Sequence, residues 1–344
     1  MNVPRIILSL AGVALFLMGS VSWAQSISMS YVTVGNPGNA PDSATGSDYG
    51  SVSYSYDIGK YDVTDSQYAA FLNDVDPTGA NTLDLYYPQG DAEYGISYNS
   101  GAANGAKFSI MTGYANMPVV YVDYWDTLRF VNWMNNGEGN ASTETGAYTL
   151  IGGNTDGNGS PSNASSLLLN PQHNAGATVW LPSENEWYKA AYYDPANGAY
   201  STYATQSDTT PGNTIGNGAD EANYDNGVFS VTQSSSYNGS QNYLTAVGSF
   251  TGSKSYYGTF DQSGDVFNWN STIVDSDFPV LRGGFWGDGD ADSVSSSDRN
   301  DDDPAAGDYY TGFRVASIPE PNSIMLIFAA IIGLAIMRCK PFKL

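Results

Sequence analysis

Cysteine is nearly missing from this chain: its 344 residues contain one, Cys339. A disulfide framework is therefore excluded between residues 25 and 318, and so is any site built there from paired thiolates. Histidine is equally scarce. His173 stands alone, which excludes a multi-histidine metal centre and leaves a Ser-His-Asp triad only that residue to use. No serine sits in a Gly-x-Ser-x-Gly elbow. Basic side chains are also few: residues 25–318 hold 8 Lys plus Arg against 34 Asp plus Glu, a formal charge of −26. Such a surface repels nucleic acid and anionic lipid, so no nucleic-acid partner is expected.

Aromatic side chains are abundant, with 26 Tyr, 13 Phe and 7 Trp. A segment of this length and content can bury a core large enough to stand without disulfides. Polar Gly, Ser, Asn and Thr stretches are interleaved with these rings, a pattern of long loops pinned to a core. No internal repeat and no long linker divides the segment, so residues 25–318 read as a single domain.

The two ends differ in composition from this middle. Arg5 precedes an apolar run from Ile6 to Met18, and Ser22-Trp-Ala24 places small residues at a cleavage site. Residues 1–24 are expected to be a secretory signal peptide. At the other end, Pro319-Glu-Pro321 leads into an apolar stretch, Ile324 to Met337, followed by Arg338, Lys340 and Lys343. Fourteen residues make a helix of about 21 Å, short against a hydrocarbon core of about 30 Å and suited to a transient membrane anchor. Basic residues after the run hold that end on the cytoplasmic side and leave the domain facing out. Residues 319–344 resemble the PEP-CTERM sorting tail of bacterial surface proteins. That resemblance implies removal by an exosortase-type membrane protease and a place in the cell envelope or on the extracellular surface.

Within the domain, capping boxes predict helices starting at Thr64-Asp-Ser-Gln67 and at Ser183-Glu-Asn-Glu186, the latter running to about Tyr192. A third helix is expected from Asp123, presenting Tyr124, Leu128, Val131 and Met134 on one face, after a strand at 118–122. Further strands are expected within 27–34 and 52–58 and near Val247 and Val280. Few helices and short strands among long loops give an α+β, irregular, loop-rich domain.

Four stretches carry the most specific information: Leu181-Pro-Ser-Glu-Asn-Glu-Trp187, Gly258-Thr-Phe-Asp-Gln-Ser-Gly-Asp-Val-Phe-Asn-Trp269, Leu281-Arg-Gly-Gly-Phe-Trp286 and Gly312-Phe-Arg-Val-Ala316. On composition alone they read as core signatures. Trp187, Trp269 and Trp286 are expected to be buried, Gly283, Gly284 and Gly312 to mark close approaches or positive φ, and Arg282 and Arg314 to be internal ion-pair or carbonyl-binding residues. Taken in order, the four stretches resemble the sulfatase-modifying-factor family, founded on formylglycine-generating enzymes. The resemblance implies an elaborated C-type-lectin-like fold. It also implies oxidase chemistry in relatives that carry a cysteine pair shortly after Arg-Gly-Gly, used with copper. The matching positions here are Asp288 and Ser293, hard-oxygen groups that cannot replace paired thiolates, so no copper site is visible.

The same resemblance implies a structural calcium loop, carried over as the Asp261 side chain, the carbonyls of Gly264 and Val266, and the Asn268 side chain. Asn268 replaces the family's Glu and removes a charge from the ligand set. A metal-free polar turn is the alternative. Two further acidic stretches, Asp288-Gly-Asp290-Ala-Asp292 and Asn154-Thr-Asp156-Gly-Asn158, have a chelating rhythm but lack a calcium-loop pattern and read as turns. Glu184 and Glu186 lie two apart on a helix and point to different faces, unlike a glycosidase pair. The expected function is a non-catalytic, surface-sorted binding or envelope-associated module whose partners are envelope polymers or glycans. The alternative is a formylglycine-generating-type oxidoreductase or other non-haem metal enzyme acting on proteins.

Overall fold

A computed structural model of the chain describes residues 26–319, apart from 45, 47, 48 and 89–91. The expected signal peptide at 1–24, the apolar span at 324–337 and Cys339 lie outside the described residues. Among the described residues, no helix is long and apolar enough to cross a membrane.

Two four-stranded sheets frame the domain. In the first, Tyr31–Val34, Tyr56–Gly59, Ala316–Ser317 and Val179–Trp180 lie side by side, every pairing antiparallel. The last strand among the described residues is thereby inserted between early and middle segments, which ties the two ends of the domain together. In the second sheet the order is Asn300–Asp301, Phe278–Arg282, Phe267–Val274 and Thr311–Gly312, with the last pairing parallel. Two-stranded pairs, Ile96–Tyr98 with Phe108–Ile110 and Tyr193–Asp194 with Ala199–Tyr200, complete the regular β structure.

The helices begin where their capping chemistry places them. Helix α1 spans Asp65–Val75 behind Thr64, which closes a capping box with Gln67. Helix α2 spans Tyr124–Asn135, capped reciprocally by Asp123 and Asp126. A short helix α3, Ala164–Leu169, was not anticipated from the sequence. Helix α4 spans Glu184–Tyr192, boxed by Ser183 and Glu186. In each box a side chain satisfies a backbone donor that the first helical turn leaves open.

The structure corrects the sequence reading in several places. Residues 118–122 form no strand beyond a single bridge from Pro118 to Thr64, and Tyr121 takes a left-handed φ of 60°. No strand forms at Val247, and the expected strands at 27–34 and 52–58 shorten to Tyr31–Val34 and Tyr56–Gly59. Helix α2 is buried from Tyr124 to Trp133 all round rather than on one face. Its polar residues have partners in the loop that follows: Arg129 Nε donates to Glu144 Oε1 at 2.8 Å and Nη1 to the Gly159 carbonyl at 2.7 Å, while Asn132 donates to the Thr143 carbonyl and accepts from the Tyr148 amide. The main core packs α1 and α2 on the C-terminal segment, with Phe71, Phe130, Trp133 and Phe313 meeting at ring centroids 5.2–5.5 Å apart.

Candidate functional site

The four sequence stretches converge on buried polar networks. Arg282 is fully buried, and its Nε and Nη2 donate to Glu184 Oε1 at 2.9 and 2.6 Å. Its Nη1 donates to the carbonyls of Ser296 and Asp298. Arg299 donates to both oxygens of Glu184 at 2.8 Å, so one carboxylate at the start of α4 holds two guanidinium groups. Glu186 faces elsewhere, accepting from Trp180 Nε1 and from Ser183. Arg314 donates from Nη2 to Asp62 Oδ1 at 2.8 Å and from Nε to Asn268 Oδ1 at 2.7 Å. Trp187, Trp269 and Trp286 are buried as expected. Gly283 and Gly284 have φ of 107° and 74°, and a Cβ on Gly312 would lie 2.7 Å from the Val119 carbonyl oxygen.

The turn after Arg282 carries Asp288 and Ser293. A Cβ on Gly284 would lie 2.5 Å from the Ser293 carbonyl oxygen and 2.9 Å from Asp288 Oδ2, so the turn brings both positions against one glycine. Asp288 Oδ2 accepts from the Phe285 amide at 2.8 Å, and Ser293 donates from N and Oγ to Asp290 Oδ1. Both side chains thus shape the turn. Burial pushes the Asp288 carboxyl up to about 7, with the charges of Asp298 and Asp290 adding to the effect.

Beside this turn lies an aromatic face that the sequence reading did not find. Tyr237, 60 % exposed, lies within 5° of parallel to the buried Trp286 with ring centroids 6.2 Å apart. Tyr243 sits against both, 4.8 Å from Trp286 and 5.5 Å from Tyr237. Phe229, Phe285 and Tyr309 close the cluster. Its members come from three separate stretches, so no local spacing announces it. Trp286 Nε1 is buried without a hydrogen-bond partner.

The segment 261–268 is divided by its surroundings. Asp261 lines a cavity of about 10 Å³, the size of one water or ion, together with Asp265, Glu221 and Asn223. Its Oδ2 accepts from the Gly248 amide at 2.7 Å. Burial holds its carboxyl well above the usual range, and the charges of Asp265 and Asp62 push the same way. Asp265 is raised to about 7, chiefly by burial. Gly264 takes φ 84° and packs on the Asn223 backbone. Asn268 lies within the strand Phe267–Val274, its oxygen accepting from both Trp187 Nε1 and Arg314 Nε. Its amide nitrogen approaches the Val266 carbonyl at 3.4 Å. The Asp261 end is the more open to a small hard cation, since its carboxyl feels the charges of Asp265 and Asp62 and only the Arg314 guanidinium opposes them. Such a cation fits poorly at Asn268, whose oxygen is already committed to two donors. Among the described residues, no three carboxylate, histidine or cysteine groups form a ready metal cluster.

The sequence profile of the sulfatase-modifying factor enzyme 1-like domain matches residues 32–318. The chain belongs to this family. The solved structure of CarF agrees on the fold: it is 18 % identical with a TM-score of 0.50, covering 85 % of this chain and 99 % of its own. Treponema denticola variable protein 1 is also 18 % identical, with a TM-score of 0.48, 86 % of this chain covered and 98 % of that one. PvdO from Pseudomonas aeruginosa is 19 % identical with a TM-score of 0.43, covering 85 % and 92 %. No curated protein matches the chain significantly. An α+β single domain of the formylglycine-generating-enzyme type is thus the fold of this family member.

The remaining polar stretches of the domain behave as turns. Asn154 Oδ1 accepts from the amides of Gly157 and Gly159, and Asp156 Oδ1 from those of Asn158 and Ser160. His173 stacks on Trp180 at 4.7 Å.

Proposed function

We propose that this domain is a non-catalytic binding module, exported by its N-terminal signal and sorted to the cell envelope through its PEP-CTERM-like tail by an exosortase-type protease. On this reading the lectin-like scaffold takes an envelope glycan or polymer on the aromatic face around Trp286. The observation that carries it is the exposed Tyr237 ring lying parallel to the buried Trp286. A rigid aromatic ladder offers a sugar ring an apolar face. Asp288 and Ser293, at the positions of the family's paired cysteines, are spent on the turn's own hydrogen bonds. A structural calcium belongs to the same proposal: Asp261 and the Gly264 and Val266 carbonyls would hold it, with Asn268 contributing least.

One observation favours the enzyme reading instead. An Asp288 carboxyl held at about 7 by burial has the proton affinity of a general acid or base, and it stands at a family catalytic position. The two readings separate on a glycan array probed with the full-length protein and with Tyr237→Ala. The binding module retains envelope glycans and loses at least about tenfold in affinity with Tyr237→Ala, at unchanged melting temperature. No retained glycan, together with aldehyde formation on a cysteine-bearing peptide, overturns it in favour of the enzyme.

A further inference from the structure

A second concave site lies at the N-terminus of α2. The pocket, about 370 Å³, is lined by Asp84, Tyr87, Tyr121, Asp123, Asp126 and Asp308 among others. That volume suits a small organic group. The reciprocal cap of α2 needs only one hydrogen-bond acceptor at each position, yet both positions carry carboxylates: Asp123 Oδ1 accepts from the Asp126 amide at 2.8 Å and Asp126 Oδ2 from the Asp123 amide at 3.2 Å. Asp126 is 3 % exposed, and its Oδ1 has no hydrogen-bond partner. An unpaired buried carboxylate oxygen is costly unless something donates to it.

The charge around this oxygen is also unbalanced. Arg129 is the cation that offsets Asp123, Asp126 and Asp84. Its guanidinium is shared with Glu144 and with the carbonyls of Gly153 and Gly159. Burial raises the Asp123 carboxyl to about 7 and drives Asp126 up as well, with the Asp123 charge adding to the latter.

The walls of the pocket are aromatic and fixed. Tyr121 is held at φ 60°, a strained conformation for a bulky side chain, by the hydrogen bond its amide N–H donates to the Asp308 carbonyl at 2.9 Å and by Gly307 packed on its backbone. Its ring packs against Tyr87, which is 52 % exposed, at 6.2 Å and 29°, and against Tyr94 at 5.8 Å. Tyrosine faces attract cations. Because no three acidic groups among the described residues converge as a metal cluster, the arrangement fits an N–H-bearing organic cation better than a bare ion.

We propose that this pocket binds a primary ammonium group, with Asp126 and Asp123 accepting from its N–H donors and Tyr87 and Tyr121 covering the attached carbon framework. Such a group is carried both by a diamine and by a deacetylated amino sugar. The pocket shares only the loop 305–310 with the aromatic face around Trp286, so its failure leaves the glycan proposal standing.

The test is calorimetric titration of the full-length protein with putrescine, with a glucosamine oligomer and with the N-acetylated form of that oligomer. Saturable one-to-one binding of either amine is expected, weakened at least about tenfold by Asp84→Asn and by Tyr87→Ala. Asparagine tolerates the left-handed φ of 59° at position 84, and Tyr87 is largely exposed, so both variants should fold, which the melting temperature checks. Putrescine binding alone identifies a diamine site, and oligomer binding identifies an amino-sugar site. Three results overturn the proposal: no saturable binding of either amine, equal binding of the acetylated oligomer, or amine binding unchanged in both variants.

Discussion

Glu184→Gln tests whether the family motifs are bound together by one carboxylate. Glu184 is 3 % exposed and receives four hydrogen bonds from two arginines, three of them on Oε1. A glutamine of the same shape keeps one acceptor oxygen, turns an N–H₂ toward the guanidinium groups and removes the negative charge. Arg282 is fully buried, and besides the rings of Tyr49 and Tyr188 beneath its guanidinium its remaining partners are the carbonyls of Ser296 and Asp298. Breaking a buried ion pair on one side costs about 3–5 kcal/mol, because the other charge stays desolvated and unpaired. Arg299 is 26 % exposed at its side chain and can turn to water, which keeps its share small. At about 2–4 °C per kcal/mol for a domain of this size, the melting temperature should fall by about 6–20 °C. Differential scanning calorimetry on wild type and variant reads this directly. Arg299→Gln should cost less than about 1 kcal/mol. A fall of under about 3 °C for Glu184→Gln, or equal effects of the two variants, refutes the reasoning.

Other outcomes follow from the same geometry. Gly264→Ala should destabilise by more than the roughly 1–3 kcal/mol of a left-handed backbone, because its Cβ would lie 2.2 Å from the Asn223 carbonyl oxygen; urea denaturation checks this. In chelator, the melting temperature should fall as pH rises from about 4 to about 7. Asp123, Asp265 and Asp288, each raised to about 7, bind protons in the folded state that the unfolded chain has already released, so their stabilisation is present in acid and lost as they ionise. A flat melting profile across that range contradicts the burial of these carboxyls. Adding calcium at pH 7.5 should raise the melting temperature of wild type and leave Asp261→Asn less affected, since a ligand of the folded state alone stabilises it by mass action. Equal rises in the two proteins would place the ion elsewhere.

Where local chemistry decides structure, the sequence was a sufficient guide. Thr64 with Gln67 and Ser183 with Glu186 are hydrogen-bonding pairs within one turn, and helices α1 and α4 start at them. The buried arginines, tryptophans and strained glycines of the Arg-Gly-Gly region were legible because each residue type has few other uses. The burial of α2 on every side was not. Arg129 and Asn132 look like a solvent face, and only the returning loop 143–159 supplies partners that bring them inside. The strand Phe267–Val274 was not anticipated, because its Asn and Ser residues have low strand preference, which strand pairing and buried partners override. The aromatic face escaped for a similar reason. Tyr237, Trp286 and Tyr309 meet only through tertiary packing. Of the carried-over calcium residues, Asp261 faces a small acidic cavity, while Asn268 serves the Arg314 network.

A metal inventory of the purified full-length protein, produced with calcium, copper and iron all available and read by elemental mass spectrometry, tests most directly whether this family member keeps the scaffold without redox chemistry. With Asp288 and Ser293 at the positions the family resemblance assigns to a cysteine pair, the account predicts calcium as the only bound metal, lost to chelator with a lower melting temperature. Near-stoichiometric copper or iron would contradict that and favour the enzyme reading.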